Sequence, residues 1–228
     1  MKTNQDYKNA ALAALKGNWA PAVLATVLFM LITLVCVFPG QLYSIKIDAS
    51  SLSADEALAT LRTMLGIMGI SFLLYIFLLY PLTLGFVNTH RKLLVEGDNN
   101  LSSNMFSIAF DGYGRKVWGM FLMALFTMLW TFLFIIPGIV KAFAYAMTPY
   151  ILEEHPELSA YEAIDRSVAM MKGHKFDLFY LMLSFIGWGL LCIPTLMIGT
   201  LWLNPYIYTS MAAFYEDVKA DYEQIAMD

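Results

Sequence analysis

Four residues stand where polar chemistry inside an apolar environment would have consequences: Lys141, Asn204, Pro205 and Tyr206. Lys141 is the one basic side chain inside a predicted membrane span, and a charge at such depth is costly enough to mark a functional position. Its place three residues after Gly138 predicts the outer boundary, where the apolar stem lets the ammonium extend to headgroups. Asn204-Pro205 sets an amide beside a helical ladder that the proline interrupts, near the middle of the last apolar run. Tyr206 and Trp202 would shape any cavity there. The catalytic alternatives are poorer. His90, His155 and His174 lack metal-ligand spacing. The cluster Glu153-Glu154-His155-Pro156-Glu157 reads as a solvated turn at the membrane edge. Ser71 and Ser184 have no base nearby in sequence and read as hydrogen-bond donors between helices. Apart from Asp177, at the very start of the run 176–193, no Asp or Glu falls inside a span, which argues against a carboxylate proton relay. The pattern predicts no catalytic residue, no metal ligand and no cofactor.

A second group of residues is basic. Lys16, the pair Arg115-Lys116 and the run Lys172-Gly173-His174-Lys175 each stand just before an apolar stretch. Lys16, Arg115, Lys116, Lys172, His174 and Lys175 are therefore candidates for gripping anionic lipid headgroups, although setting orientation already accounts for such clusters.

The elements that must position these residues are membrane helices. The 228 residues are 59% hydrophobic and 14% charged, with mean hydropathy +0.62, which is too little charge for a soluble domain. Apolar runs of about 20 residues cross a bilayer as helices. The runs are 19–38, 64–87, 117–136, 139–152, 176–193 and 196–214. The fourth is short and contains Lys141 and Pro149. The expected fold is all-α: a polytopic membrane protein whose six transmembrane helices form three helical hairpins, with short amphipathic cytoplasmic helices. It is read as one membrane domain with units at about 4–95, 99–155 and 159–217. No cleaved signal peptide is expected, because Asp6 and Asn9 interrupt the basic start and no small-residue cleavage site follows. No basic, aromatic-interleaved segment points to nucleic acid.

Amphipathic pieces join the spans. In the first, Tyr7, Ala11 and Leu15 share a face. Pro39-Gly40 is expected to end the first span, and 41–63, with Lys46, Asp48 and Arg62, to be an aqueous excursion. Around 99–114, Phe106, Phe110 and Tyr113 are expected to share a face. Ser159 and Glu162 have capping-box spacing, Ala160, Ile164, Val168 and Met171 form the apolar face after them, and Glu162 is expected to pair with Arg166. Cys36 and Cys192, each just ahead of a proline, are expected to be free apolar thiols.

Positive charge orients this arrangement. With both termini on one side, that side holds Lys2, Lys8, Lys16, Arg91, Lys92, Arg115, Lys116, Arg166, Lys172, Lys175 and Lys219, and the other holds Lys46 and Arg62. The termini are therefore expected in the cytoplasm. The units also rhyme. From Lys16, Lys116 and Lys175 to Pro39, Pro137 and Pro194 is 23, 21 and 19 residues. Trp130 and Trp188 precede their prolines, and Pro149-Tyr150-Ile151 answers Pro205-Tyr206-Ile207. An internal repeat of parallel hairpins is expected.

The segments Ile136-Pro137-Gly138-Ile139, Pro149-Tyr150-Ile151, Met171-Lys172-Gly173-His174-Lys175, Leu183-Ser184-Phe185-Ile186-Gly187-Trp188, Asn204-Pro205-Tyr206 and Phe214-Tyr215-Glu216 resemble the bacterial integral membrane family catalogued as domain of unknown function nine-seven-five. Ala13-Ala14-Leu15-Lys16-Gly17-Asn18-Trp19 fits as well, so the resemblance extends over essentially the whole chain. It implies a six-helix protein of the bacterial inner membrane and supplies no catalytic residues. A more distant resemblance to membrane domains attached to glycerophosphodiesterases hints at lipids. The functional expectation is a non-enzymatic envelope or accessory factor acting through membrane lipids, a membrane-protein partner or a second copy of itself. The alternative is a transporter or channel for a small solute or lipid, with its pathway between the hairpins.

Overall fold

Residues 2–45 and 53–227 are described by this computed structural model, and they form twelve α-helices with no strand among them. Lys46 and Asp48 lie outside the described residues. Among the described residues, five helical segments are long and apolar enough to cross a membrane: Trp19–Val37, Ala54–Glu96, Tyr113–Leu133, Ile135–Glu154 and Lys175–Cys192.

Helix α1 (Asn4–Leu15) begins with a capping box between Thr3 and Asp6 and buries Tyr7, Ala11 and Leu15, the expected face. Helix α2 starts at Trp19 as expected, but it does not stop at Pro39-Gly40; it continues to Ile45. A membrane helix tolerates an internal proline because neighbours satisfy the freed backbone groups. Helix α3 (Ala54–Leu74) runs through five π-helical residues, Tyr75–Leu79, into α4 (Tyr80–Glu96). The wider turn lies just ahead of Pro81, where an ordinary turn would clash with the ring. The span expected to end at Val87 is thus part of one 43-residue helical segment.

Helix α5 (Leu101–Phe110) folds back onto α4. A Cβ on Gly85 would lie 2.1 Å from the Met105 carbonyl oxygen, so only glycine permits this approach. The contact selects Leu101, Met105, Ile108 and Ala109 as the buried face. Phe106 and Phe110 are exposed, contrary to expectation, although Phe110 does stack on Tyr113 at 5.9 Å.

Helix α6 (Tyr113–Leu133) ends where Phe134 becomes extended, and α7 (Ile135–Tyr145) returns at once. Pro137-Gly138 therefore opens the return helix rather than closing the outgoing one. Gly138 makes the turn tight: a Cβ there would come within 2.3 Å of Thr131 Oγ1. A break at Ala146-Met147 leads into α8 (Thr148–Glu154). Ser167 bridges that break, its hydroxyl donating to the Ala144 carbonyl at 2.8 Å and accepting from the Met147 amide at 3.2 Å.

Helix α9 (Ala160–Met170) has the expected Ser159–Glu162 capping box. Its buried face is Ala160, Ala163, Ile164, Ser167 and Met170, with Val168 only half-buried. Glu162 does not pair with Arg166. Its carboxylate accepts from the Ser159 amide at 2.8 Å, and the Arg166 guanidinium lies over the Tyr222 ring at 5.8 Å. The next apolar run is split into α10 (Lys175–Leu183) and α11 (Ile186–Cys192). Lys8 reaches the split from α1, donating to the Ser184 carbonyl at 3.1 Å with its ammonium 4.4 Å from the Phe185 ring centre. Residues 193–199 form turns in which Leu196 and Met197 adopt left-handed conformations, φ 50° and 66°. Helix α12 (Thr200–Met227) completes the chain. Cys36 and Cys192 are buried and free.

Burial divides the molecule. The core gathers α1, α4, α5, α8, α9 and the second half of α12, with Tyr150, Phe214 and Tyr215 almost fully enclosed. Helix α3 buries nothing, and exposed apolar side chains run over 19–37 of α2, α3, 128–140 and 186–202.

Candidate functional site

Two polar regions merit attention, and they are built differently. The first lies where α4, α8 and α12 meet. Arg91 donates from Nη2 to Glu154 at 2.6 Å and from Nε to Glu216 at 2.5 Å. Lys219 pairs with the same Glu154, and the Tyr215 hydroxyl donates to it as well. Tyr215 stacks on Tyr150 at 4.6 Å. Deeper in, the Asn88 amide nitrogen donates to the carbonyls of Leu84 at 3.0 Å and of Pro149 at 2.9 Å. That second bond joins α4 to the start of α8, where a proline has replaced an amide donor. Alongside, Lys116 is 2% exposed and bonds the Ile108 carbonyl at 2.7 Å and Glu153 at 2.5 Å. Arg115 donates to the carbonyls of His155 at 3.2 Å and Leu158 at 3.0 Å, and also to that of Leu152, which caps the end of α8. Glu153 and Glu154 are consequently ion-paired between helices, not solvated as their composition suggests.

The second region surrounds Lys141. Its ammonium lies 4.9 Å from the Trp130 ring centre and 5.9 Å from that of Tyr145. A cavity of about 270 Å³ opens here, lined by Trp130 of α6, Lys141 and Tyr145 of α7, and Tyr161 and Asp165 of α9. Lys141 was expected to reach outward to a membrane boundary. It lies beside α9. On the other side of Tyr145, a groove of about 540 Å³ is lined by apolar and small residues, among them Met123, Thr127, Ala142 and Ala146.

Asn204, Pro205 and Tyr206 are not brought to either region as a group. Asn204 is half-buried and its amide makes no hydrogen bond among the described residues. Pro205 is buried in the second turn of α12, and Tyr206 packs edge-on against Phe185 at 5.1 Å. Of the basic residues, Lys16 and Lys172 are exposed, whereas His174 faces Asp221 at 3.1 Å and Asp177 at 3.5 Å. Lys175 is half-buried.

A third contact anchors α1. The Lys2 amide and the Tyr7 hydroxyl donate to Asp217 at 2.8 and 2.7 Å. Burial opposes ionisation of Asp217, but these two donors outweigh it and hold the carboxyl below the usual carboxylate range. Burial, together with Asp217, pushes the Tyr7 phenol upward.

Arg91, Glu154, Glu216 and Lys219 were invisible as a group in the sequence, because 63 positions separate Arg91 from Glu154 and 125 separate it from Glu216. The only signal was the presence of Arg91 and Glu154 at predicted span ends.

Residues 134–222 match the family described as Protein of unknown function (DUF975). The resemblance therefore holds over α7 to Tyr222 of α12, while Ala13–Trp19, which also suggested it, lie outside the match. The matched stretch supplies two walls of the Lys141 cavity, α7 and α9, and every partner of Arg91. No curated protein and no solved structure matches the chain.

Proposed function

We propose that this is a multi-pass protein of the bacterial inner membrane that acts without catalysis, as an envelope or accessory factor working through lipid contacts. Both termini lie in the cytoplasm in this reading, and α12 supplies a sixth crossing, giving three hairpins. The charge count, eleven cations against two, supports the orientation. One observation carries the lipid reading: the charged groups in the core are consumed by one another, while the free surface of 19–37, α3, 128–140 and 186–202 is apolar. An apolar surface that wide meets acyl chains or another membrane helix.

The alternative reading is a transporter whose pathway runs between the hairpins. It is favoured by buried polar atoms near α4, α8 and α12 that lack a hydrogen-bond partner among the described residues, including Asn88 Oδ1, Thr148 Oγ1, Tyr150 OH and Thr209 Oγ1. Such atoms need water or a solute. Native mass spectrometry and flux measurements on the same purified protein separate the two. Retained phospholipid without solute flux across proteoliposomes is expected. Solute flux that Asn88→Ala abolishes, in a folded protein, would transfer the assignment to transport.

A further inference from the structure

Lys141 and Asp165 line one cavity, on α7 and α9, and neither forms an ion pair with the other or with any other described residue. Trp130 and Tyr145 attract the ammonium through their ring faces, but a cation–π contact leaves the charge itself uncompensated. An anion alone would satisfy Lys141 and face the Asp165 carboxylate. A cation alone would do the reverse. A ligand carrying both charges satisfies both walls. At about 30 Å³ for a water-sized group, 270 Å³ takes roughly nine such groups, the size of a phosphoethanolamine unit. Tyr145 lines this cavity and also the apolar groove of about 540 Å³ beside Ala142 and Ala146. The polar cavity and the greasy groove therefore adjoin at one side chain, the arrangement a headgroup with an attached acyl chain requires.

Resting on the lipid-contact reading, we propose that this site holds a zwitterionic aminophospholipid. Its phosphate is on Lys141, its ammonium on Asp165, and one acyl chain lies in the adjoining groove. A primary ammonium donates hydrogen bonds to Asp165, whereas a trimethylated headgroup has no N–H to give. The site thus prefers phosphatidylethanolamine to phosphatidylcholine. It also prefers it to phosphatidylglycerol, which offers Asp165 no positive charge.

The test is native mass spectrometry of the detergent-purified full chain, equilibrated with equal amounts of the three phospholipids. Wild type retains phosphatidylethanolamine. Lys141→Gln and Asp165→Asn each lower that retention about tenfold, and Lys141→Arg preserves it. Asp165→Asn also shifts preference toward phosphatidylglycerol, because the repelling carboxylate is gone. Ala142→Phe, a change without charge at an exposed position lining the groove, lowers retention as well, so the result does not hang on the charge variants folding. Equal retention of the three lipids by wild type overturns the proposal. So does binding of free O-phosphoethanolamine as tight as that of the lipid, which would make a soluble zwitterion the ligand. Undiminished retention in all the lowering variants removes this site but leaves the lipid-contact reading in place. A folded wild type that retains no phospholipid removes both.

Discussion

Arg91 and Lys141 are both cations held between helices, and the molecule treats them in opposite ways. Arg91 is given two carboxylates, and one of those also receives Lys219 and a tyrosine hydroxyl. Lys141 is given two aromatic rings and an open cavity. Taking charges out of water is expensive unless geometry and hydrogen bonds compensate. At Arg91 the protein compensates fully, and the gain is a junction between α4, α8 and α12. At Lys141 it leaves compensation to something that is not part of the chain. The contrast separates side chains that build this protein from side chains that await a ligand.

The largest effect is expected from disturbing the closed network. Glu154→Ala strips Arg91, Lys219 and Tyr215 of a shared acceptor and should lower unfolding free energy by ~3 kcal/mol, read from thermal or denaturant unfolding in detergent. A loss below ~1 kcal/mol would mean that the charges are already hydrated and the distinction from Lys141 is weaker than drawn. Backbone approach offers a second contrast. Gly85→Ala should cost ~1–3 kcal/mol, because its Cβ meets the Met105 carbonyl. Gly66→Ala, where a Cβ meets nothing, should stabilise α3 by up to ~1 kcal/mol. Effects of the same sign at both sites would erase the difference between packed and exposed helices.

Smaller effects sharpen the boundary. Ser167→Ala should cost ~1–2 kcal/mol, since the Met147 amide at the α7–α8 break loses its acceptor. The anchoring of α1 should depend on acidity. Asp217 is held below its ordinary range, so its contribution is fully present above the unfolded carboxyl value near ~3.9 and is lost as pH falls through the folded value. Spin-label distances between Asn9 and Glu223 should stay constant from pH 7 to 5 and lengthen below about 4. Tyr7→Phe should bring that release to higher pH, and an unchanged release would assign the anchor to Lys2 alone.

Local signals were legible in the sequence where they are self-contained. The Tyr7-Ala11-Leu15 face and the Ser159–Glu162 capping box each lie within a single helix, over nine and four residues, so spacing alone reveals them. Signals that depend on another helix were not. Phe106 and Phe110 looked like a buried face because they are large, but Gly85 admits α5 by its Met105–Ala109 side. Pro39 and Pro137 looked like helix ends, yet one lies inside α2 and the other in the first turn of α7. Prolines are tolerated where packing supplies the missing partners, and the sequence does not show packing. Lys141 was recognisable as an oddity, but its neighbour Asp165 stands 24 positions later on a helix read as a separate surface element.

The contrast between the two cations is tested most directly by unfolding two variants in lipid-free detergent, Arg91→Gln and Lys141→Gln. With no lipid present, Lys141 has only its contacts with the Trp130 and Tyr145 rings to lose, so Lys141→Gln should lower unfolding free energy by no more than ~1 kcal/mol. Arg91→Gln should fall by ~3 kcal/mol, because Glu154 and Glu216 are left facing each other without their shared cation. A Lys141→Gln protein destabilised as much as Arg91→Gln would show that Lys141 is structural, and the division between built and waiting charges would be wrong.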